Sequence, residues 1–341
     1  MNKTFSRTLD RLLDGEHLAE AEAFDLMNAL GEGTLEPALA GALLAGLRAK
    51  GETADEIRGF ARAMRELAVH PKIPDGQPTV DTVGTGGDGS GSLNLSTGTG
   101  LLAAAAGARV VKHGNRSVSS RSGSADMLEC LGMPLPLHEV EAVACLEATG
   151  FTFLFAPAYH PAMKAVVPVR AALSVRTVFN MLGPLTNPAA TPYQLIGAWS
   201  PAAAKLMADT LAGLPIERAF VVHGEPGWDE ATPVGEFLLY DVHPGHVEET
   251  RRTPEDYGLP RCKPADLAGA DAEHNAAELK RVFSGEDTGP HRDALLMGTS
   301  LVLEVTNQVD NPRQGVDAAA DAIDSGRAEE MIENLRNHFL P

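Results

Sequence analysis

Apolar positions in the first seventy residues recur at helical spacing, with no strand pattern among them. From Thr53 and Glu56, which match a capping box, Ile57, Phe60, Ala61, Met64, Leu67 and Ala68 fall on one helical face. Two further amphipathic stretches, Leu18 to Leu30 and Ala38 to Leu47, are set apart by Gly31, Gly33 and Gly51, and Pro71, Pro74 and Pro78 close the run. The pattern predicts a small helical domain over residues 1–75. So short an all-helical module must cover its apolar face with the rest of the chain or with a second copy, and a homodimer through these helices is expected.

From residue 79 the pattern changes. Short β-rich runs at Thr79 to Val83, Ala108 to Val111, Phe151 to Phe155, Gln194 to Ala198, Arg218 to Val222 and Glu236 to Val242 alternate with helical ones such as His138 to Thr149 and Ala202 to Leu214. Such alternation predicts an α/β fold with a mostly parallel central sheet wrapped by helices. Residues 160–192 break the rhythm with a helical stretch and a proline-rich loop. They are expected to rejoin the N-terminal helices, which gives a discontinuous helical domain (1–75 with 160–192) and an α/β domain (76–159 with 193–341).

The chain has 341 residues, 44% of them apolar, and a formal charge of −18. It is long enough for one large or two medium domains. The acidity argues against a nucleic-acid or anionic-membrane surface and reads chiefly as solubility. The first ten residues carry charges and no apolar core of a signal peptide, and the longest apolar run, Leu101 to Ala106, is too short to span a bilayer. A cytoplasmic location is therefore expected. Cys130, Cys145 and Cys262 are scattered, with neither disulfide nor zinc spacing.

Chemistry concentrates in two loops. Asp81 to Thr97 runs from a β-type segment through six glycines between Gly84 and Gly98 into an apolar helix, with Asn94, Ser96 and Thr97 as polar caps at its start. Glycines let main-chain N–H groups approach an anion, and a helix start adds unpaired N–H donors and its positive dipole end. The other reading is a flexible glycine linker. The spacing matches neither the Walker nor the dinucleotide pattern. One unit later, Lys112-His113-Gly114-Asn115-Arg116-Ser117-Val118-Ser119-Ser120 continues through Arg121 and Ser122 to Ser124, again between a β-branched run and a helix. Its cations and hydroxyls suit several anionic oxygens at once, or form a solvated polar loop.

Two further features bear on ligands. Asp229 and Glu230 leave a strand in a loop that can aim both carboxylates at a hard cation such as Mg²⁺, or simply make a solvated turn. Arg170, on a helical stretch, can hold a carboxylate bidentately or form a surface ion pair. The string Asn180-Met-Leu-Gly-Pro-Leu-Thr-Asn-Pro188 reads as a rigid turn.

Gly59-Phe-Ala-Arg-Ala-Met-Arg65, Gly84-Thr-Gly-Gly-Asp88, Asn94-Leu-Ser-Thr97, Lys112-His-Gly-Asn-Arg116, Phe179 to Pro188 and Asp229-Glu230 together resemble the anthranilate phosphoribosyltransferase family over nearly the whole length. The resemblance implies a homodimer whose protomers carry a helical domain and a nucleoside-phosphorylase-like α/β domain, with the active site between them. It implies that phosphoribosyl pyrophosphate binds at Gly84, Gly87, Asp88, Ser92, Asn94, Leu95, Ser96, Thr97, the loop from Lys112 to Ser120, and Ser124. Ser96, Asp229 and Glu230 would serve magnesium; Gly84, Asn115 and Arg170 would contact anthranilate, Arg170 by its carboxylate. The chain departs from the family pattern at Ser92, Trp228 and Met297-Gly-Thr-Ser300. No covalent nucleophile is expected. Competing readings are a nucleic-acid-binding or non-catalytic relative and a nucleoside phosphorylase.

Overall fold

A computed structural model describes residues 2–74, 76, 78–117 and 121–340. Four helices lead the chain: α1 (Asn2–Leu13), α2 (Glu20–Gly31), α3 (Pro37–Lys50) and α4 (Ala54–Glu66). Thr53 caps α4 as the sequence predicts, its hydroxyl accepting from the Glu56 N–H while the Glu56 carboxylate accepts from the Thr53 N–H. The sequence reading singles out no element at α1, although Phe5, Leu9 and Leu12 fall at helical spacing and pack into the helical core.

Beyond the proline-rich link the α/β alternation runs β1 (Thr79–Gly84), α5 (Leu95–Ala105), β2 (Arg109–Gly114), α6 (Ser124–Cys130), α7 (Glu139–Thr149), β3 (Phe151–Phe155), α8 (Ala156–Tyr159), α9 (Met163–Leu173), α10 (Phe179–Leu182), β4 (Tyr193–Gly197), α11 (Pro201–Leu211) and β5 (Arg218–Gly224). A hairpin, β6 (Phe237–His243) and β7 (His246–Arg252), precedes four closing helices, α12 (Ala272–Phe283), α13 (Pro290–Val305), α14 (Pro312–Asp324) and α15 (Arg327–His338). The seven strands stand in the order β3-β2-β1-β4-β5-β6-β7. The first five are mutually parallel and the last two antiparallel. The six predicted strands are all present. The seventh, β7, is a polar edge strand with little buried surface, so no apolar alternation marks it; its charges also guard the sheet edge.

Alternation along the central strands divides the interior in two. On β5, Phe220 and Val222 face a core built with α5 to α7 and α12 to α15, whereas Ala219 and Val221 face the opposite side. That second side is continuous with the N-terminal helices: Ile57, Phe60 and Met64 of α4 share one cluster with Ala204, Met207 and Leu211 of α11. Val166 of α9 and Phe179, Met181 and Leu182 of α10 join the same cluster, so the stretch that breaks the α/β rhythm packs on the N-terminal helices.

One buried charge pair fixes the helical part. Glu56 is fully buried and accepts from Lys50 Nζ at 2.9 Å and from the Leu18 N–H at 2.8 Å, tying α3, α4 and the start of α2 together. Removing one partner strands the other charge away from water, which costs about 3–5 kcal/mol. Glu56→Ala is expected to lower the unfolding free energy by about that amount in urea titration, against under 1 kcal/mol for breaking an exposed pair such as Lys205–Asp209.

Candidate active site

The chain crosses from β1 to β2 on one side and returns past β1 to β4 on the other, so the carboxyl ends of β1 and β4 flank the switch point where open α/β sheets bind ligands. Here the backbone is unusually close. β4 ends at Gly197, where a Cβ would lie 1.5 Å from the Asp229 carbonyl oxygen. β1 ends at Gly84, where one would lie 2.5 Å from the Asp229 carboxylate. Only glycine permits the loop after β5 to lie across these strand ends.

That loop delivers the acidic pair. Asp229 is buried; its Oδ2 accepts from the Gly86 N–H at 2.5 Å and the Thr85 hydroxyl at 3.4 Å, and its own N–H donates to Asp88 Oδ2 at 3.3 Å. Glu230 accepts from the Ser96 N–H. Burial and the nearby Asp88 push the Asp229 carboxyl up, and burial and the Asp229 charge push Glu230 up to about 8. Lys112 is buried below them, donating to the Thr82 carbonyl and to Ser96 Oγ at 3.3 Å. Asp88, Asp229 and Glu230 outnumber the one desolvated ammonium, so without an ion Glu230 keeps its proton up to about pH 8, and this oxygen donor set fits a hard divalent cation. Among the described residues, the side chains close enough to share an ion as a group of three are Glu278, Asp287 and His291, between α12 and α13. The cleft acids stand wider apart, so an ion there needs oxygens from a ligand as well.

The glycine loop departs from the sequence expectation in one respect. The first N–H groups of α5 are not left open: Ser96 N–H meets Glu230 and Thr97 N–H the Asn94 carbonyl at 3.1 Å. Thr97 and Leu95 are buried, and the Thr97 hydroxyl has no partner. Nor does Asn94 cap the helix by its side chain. It bridges instead, donating to the Ser122 carbonyl at 3.1 Å and accepting from Ser122 Oγ and Asn275 Nδ2, both at 2.8 Å. Asp88 organises its own turn, accepting from the Ser90 N–H and hydroxyl at 3.1 Å, while Ser92 Oγ lies 3.2 Å from Ser90 Oγ.

The second loop is pinched shut at its base. Asp126 Oδ2 accepts from the Ser117 N–H at 3.1 Å and the Gly123 N–H at 2.9 Å, just before Ser124 opens α6. Arg116 forms ion pairs with Asp126 and Glu129 of α6. Arg121 is exposed. Val118, Ser119 and Ser120 lie outside the described residues.

Between this crevice and the helical part lies a cavity of about 430 Å³, lined by Gly84, His113, Gly114, Asn115, His160 and Arg170 among others. Arg170 is half-buried, 5.3 Å above the Phe179 ring, and its guanidinium has no hydrogen-bond or ion-pair partner among the described residues. Burial holds its pKa below the usual arginine value. His113 and His160 stand edge to face at 5.0 Å, and burial pushes them down to about 3 and about 4, so both are neutral near pH 7. Phe179, Asn180, Leu182, Gly183, Pro184 and Thr186 form another wall. The string read as a rigid turn is thus part of the pocket.

Its last polar member reaches further. Asn187 Nδ2 donates to Asp81 Oδ2 and to the Val111 carbonyl, both at 2.8 Å, and Asp81 Oδ1 accepts from the His113 N–H at 3.2 Å. Asp81, fully buried and pushed up by burial to about 6, thereby holds the second loop to β1. Asp81 and Asn187 lie in segments the sequence singles out, but their individual roles, like that of His160, come from partners distant in sequence.

The family models place this mostly parallel sheet and its helical cap among the glycosyltransferases. Residues 6–68 match the glycosyl transferase family helical bundle domain and residues 76–329 its a/b domain. The chain is 45% identical to the anthranilate phosphoribosyltransferase of Rubrobacter xylanophilus (94% of this chain, 93% of that one) and 45% identical to that of Solibacter usitatus (96% of each). It superposes on the Thermus thermophilus enzyme with a TM-score of 0.90 at 42% identity, covering 97% of this chain and 98% of that one. The Saccharomyces cerevisiae enzyme in complex with PRPP and Mg matches with a TM-score of 0.90 at 26% identity, covering 99% and 98%. The chain belongs to the anthranilate phosphoribosyltransferase family.

Because the folded protein raises the Glu230 pKa to about 8 from an ordinary 4.5, it binds a proton that the unfolded chain has already released. In the absence of divalent ions, stability is expected to fall as pH rises from about 4 to about 8. Asp229→Asn with Glu230→Gln should flatten that slope in denaturant titrations across pH. An unchanged slope would refute the clustering of uncompensated acids.

Proposed function

We propose that the cleft transfers the phosphoribosyl group of phosphoribosyl pyrophosphate to the amine of anthranilate, releasing pyrophosphate, as a step of tryptophan biosynthesis. The observation that carries the reading is the charge of the crevice: an acidic cluster at the strand ends, and in the adjoining cavity an Arg170 guanidinium with no hydrogen-bond or ion-pair partner among the described residues. The first suits a cation-bridged diphosphate, the second a carboxylate.

In this reading the donor lies along Gly84 to Thr97 and the segment from Lys112 through Ser117 to Ser124. Ser96, Asp229 and Glu230 hold Mg²⁺. When bound, the ion supplies charge neutralisation to the departing diphosphate. Gly84 lets the Asp229 loop lie against the end of β1, beside the donor. Arg170 grips the anthranilate carboxylate, and Asn115 and Gly84 wall the amine so that it faces the sugar C1 carbon. The C1–O bond to diphosphate breaks as the N–C1 bond forms, the diphosphate leaves with the bonding pair, and the amine proton passes to water. Positioning carries much of the rate, and no side chain needs to form a covalent intermediate.

The same reading makes the protein a cytoplasmic homodimer divided into residues 1–75 with 160–192 and residues 76–159 with 193–341. An open apolar cavity between α2, α3 and α9, lined by Leu30, Leu35, Pro37, Ala40, Val166 and Val169, supports pairing through the helical part. The free thiols of Cys130, Cys145 and Cys262 suit a reducing compartment.

Fluorescence-monitored anthranilate consumption tests the function: signal should fall only with phosphoribosyl pyrophosphate and Mg²⁺ both present. Asp229→Asn with Glu230→Gln should abolish magnesium-dependent turnover while circular dichroism stays unchanged, and near-normal activity would remove the metal role. Arg170→Ala should raise the anthranilate KM by about 10- to 100-fold, the loss of a charge-assisted pair, with the donor KM little changed.

A further inference from the structure

The donor loop is held from the helical side by a residue outside the assigned site. Arg176, between α9 and α10, donates through Nη2 to the Gly87 carbonyl at 2.6 Å. Its guanidinium carbon lies 4.8 Å from the centre of the Trp199 ring, just beyond β4. Its own carbonyl accepts from Arg48 Nη1 of α3 at 2.7 Å. The approach is close enough that a Cβ on Gly87, whose φ is +74°, would lie 2.9 Å from Arg176 Nη2. Trp199 continues the chain of contacts: its N–H donates to Thr85 Oγ1 at 3.1 Å, and that hydroxyl reaches the Asp229 carboxylate.

We propose that Arg176 is a positioning residue that sets the shape of the glycine loop for the phosphoribosyl donor. The Gly87–Asp88 peptide is trans and planar, so its C=O and N–H point in opposite directions. Fixing the Gly87 oxygen on Arg176 therefore fixes the Asp88 N–H to face the other way. It also withholds from an incoming diphosphate a carbonyl dipole that would repel it. A glycine loop with four positive-φ residues (Gly86, Gly87, Gly89 and Gly91) has many alternatives to that one conformation. The planar fork bonds and stacks at once, which an ammonium cannot do. Through Arg48 the anchor belongs to the helical side of the cleft, so the donor loop and the anthranilate-side wall are set by one connector.

The inference rests on the assignment of this loop to phosphoribosyl pyrophosphate, and two measurements separate the two. Calorimetric titration of wild type, Arg176→Ala and Arg176→Lys with the magnesium complex of phosphoribosyl pyrophosphate reads the loop. Anthranilate consumption reads the activity. The Ala variant is expected to raise the donor Kd and KM about tenfold, the worth of one charge-assisted hydrogen bond, with the anthranilate KM within twofold of wild type. The Lys variant, keeping one donor and losing the stack, should fall between. A donor Kd within twofold of wild type, or an anthranilate KM that rises as much as the donor's, would overturn the proposal. If the Ala variant does not fold, the Lys variant decides by the same criterion. Wild-type protein that binds the donor without consuming anthranilate would sink the activity instead, and wild-type protein that does not bind it would sink both.

Discussion

The cleft depends on the absence of three side chains. Gly84, Gly197 and Gly224 end β1, β4 and β5, and at each a Cβ would collide with the segment Asp229-Glu230 or its backbone. Because nothing stands there, the segment lies directly over the strand ends, and its carboxylates reach the glycine loop and the first turn of α5. With side chains at those positions the acidic loop would be lifted off the sheet and the cluster would not form.

Electrostatics follow from that contact. Desolvated carboxylates brought together repel one another, and the one lysine beneath them is itself buried and bonded to Thr82 and Ser96. Without a cation the cluster lowers its charge by keeping a proton on Glu230 up to about pH 8. On the far side of the cavity the sign reverses at Arg170, while the neutral His113–His160 pair between them adds no charge of its own.

Much of this architecture was legible in the residues. Capping at Thr53, alternation on β5 and the glycine run after β1 are local signals, and each has its expected counterpart in the structure. β7 was not, since an exposed edge strand buries too little to leave an alternating trace, and α1 was not singled out although Phe5, Leu9 and Leu12 recur on one helical face. The site was legible as a set of segments and less so as roles. Arg116 turned out to serve Asp126 and Glu129, Asn94 to bridge instead of cap, and Asn187 to hold Asp81 across 106 residues. A side chain with several donors takes its partner from whatever the fold brings near.

The sequence by itself determined where backbone could bend, which faces had to be buried, and which residues could carry anionic or cationic chemistry, because those properties are set within a few neighbours. Only the tertiary structure decided that Gly197 lies against Asp229, that Arg170 has no hydrogen-bond or ion-pair partner among the described residues, and that Arg176 meets Gly87 and Trp199. These contacts join segments tens of residues apart, and their distances follow from how the sheet orders its strands and how the helices close over it, not from any local pattern.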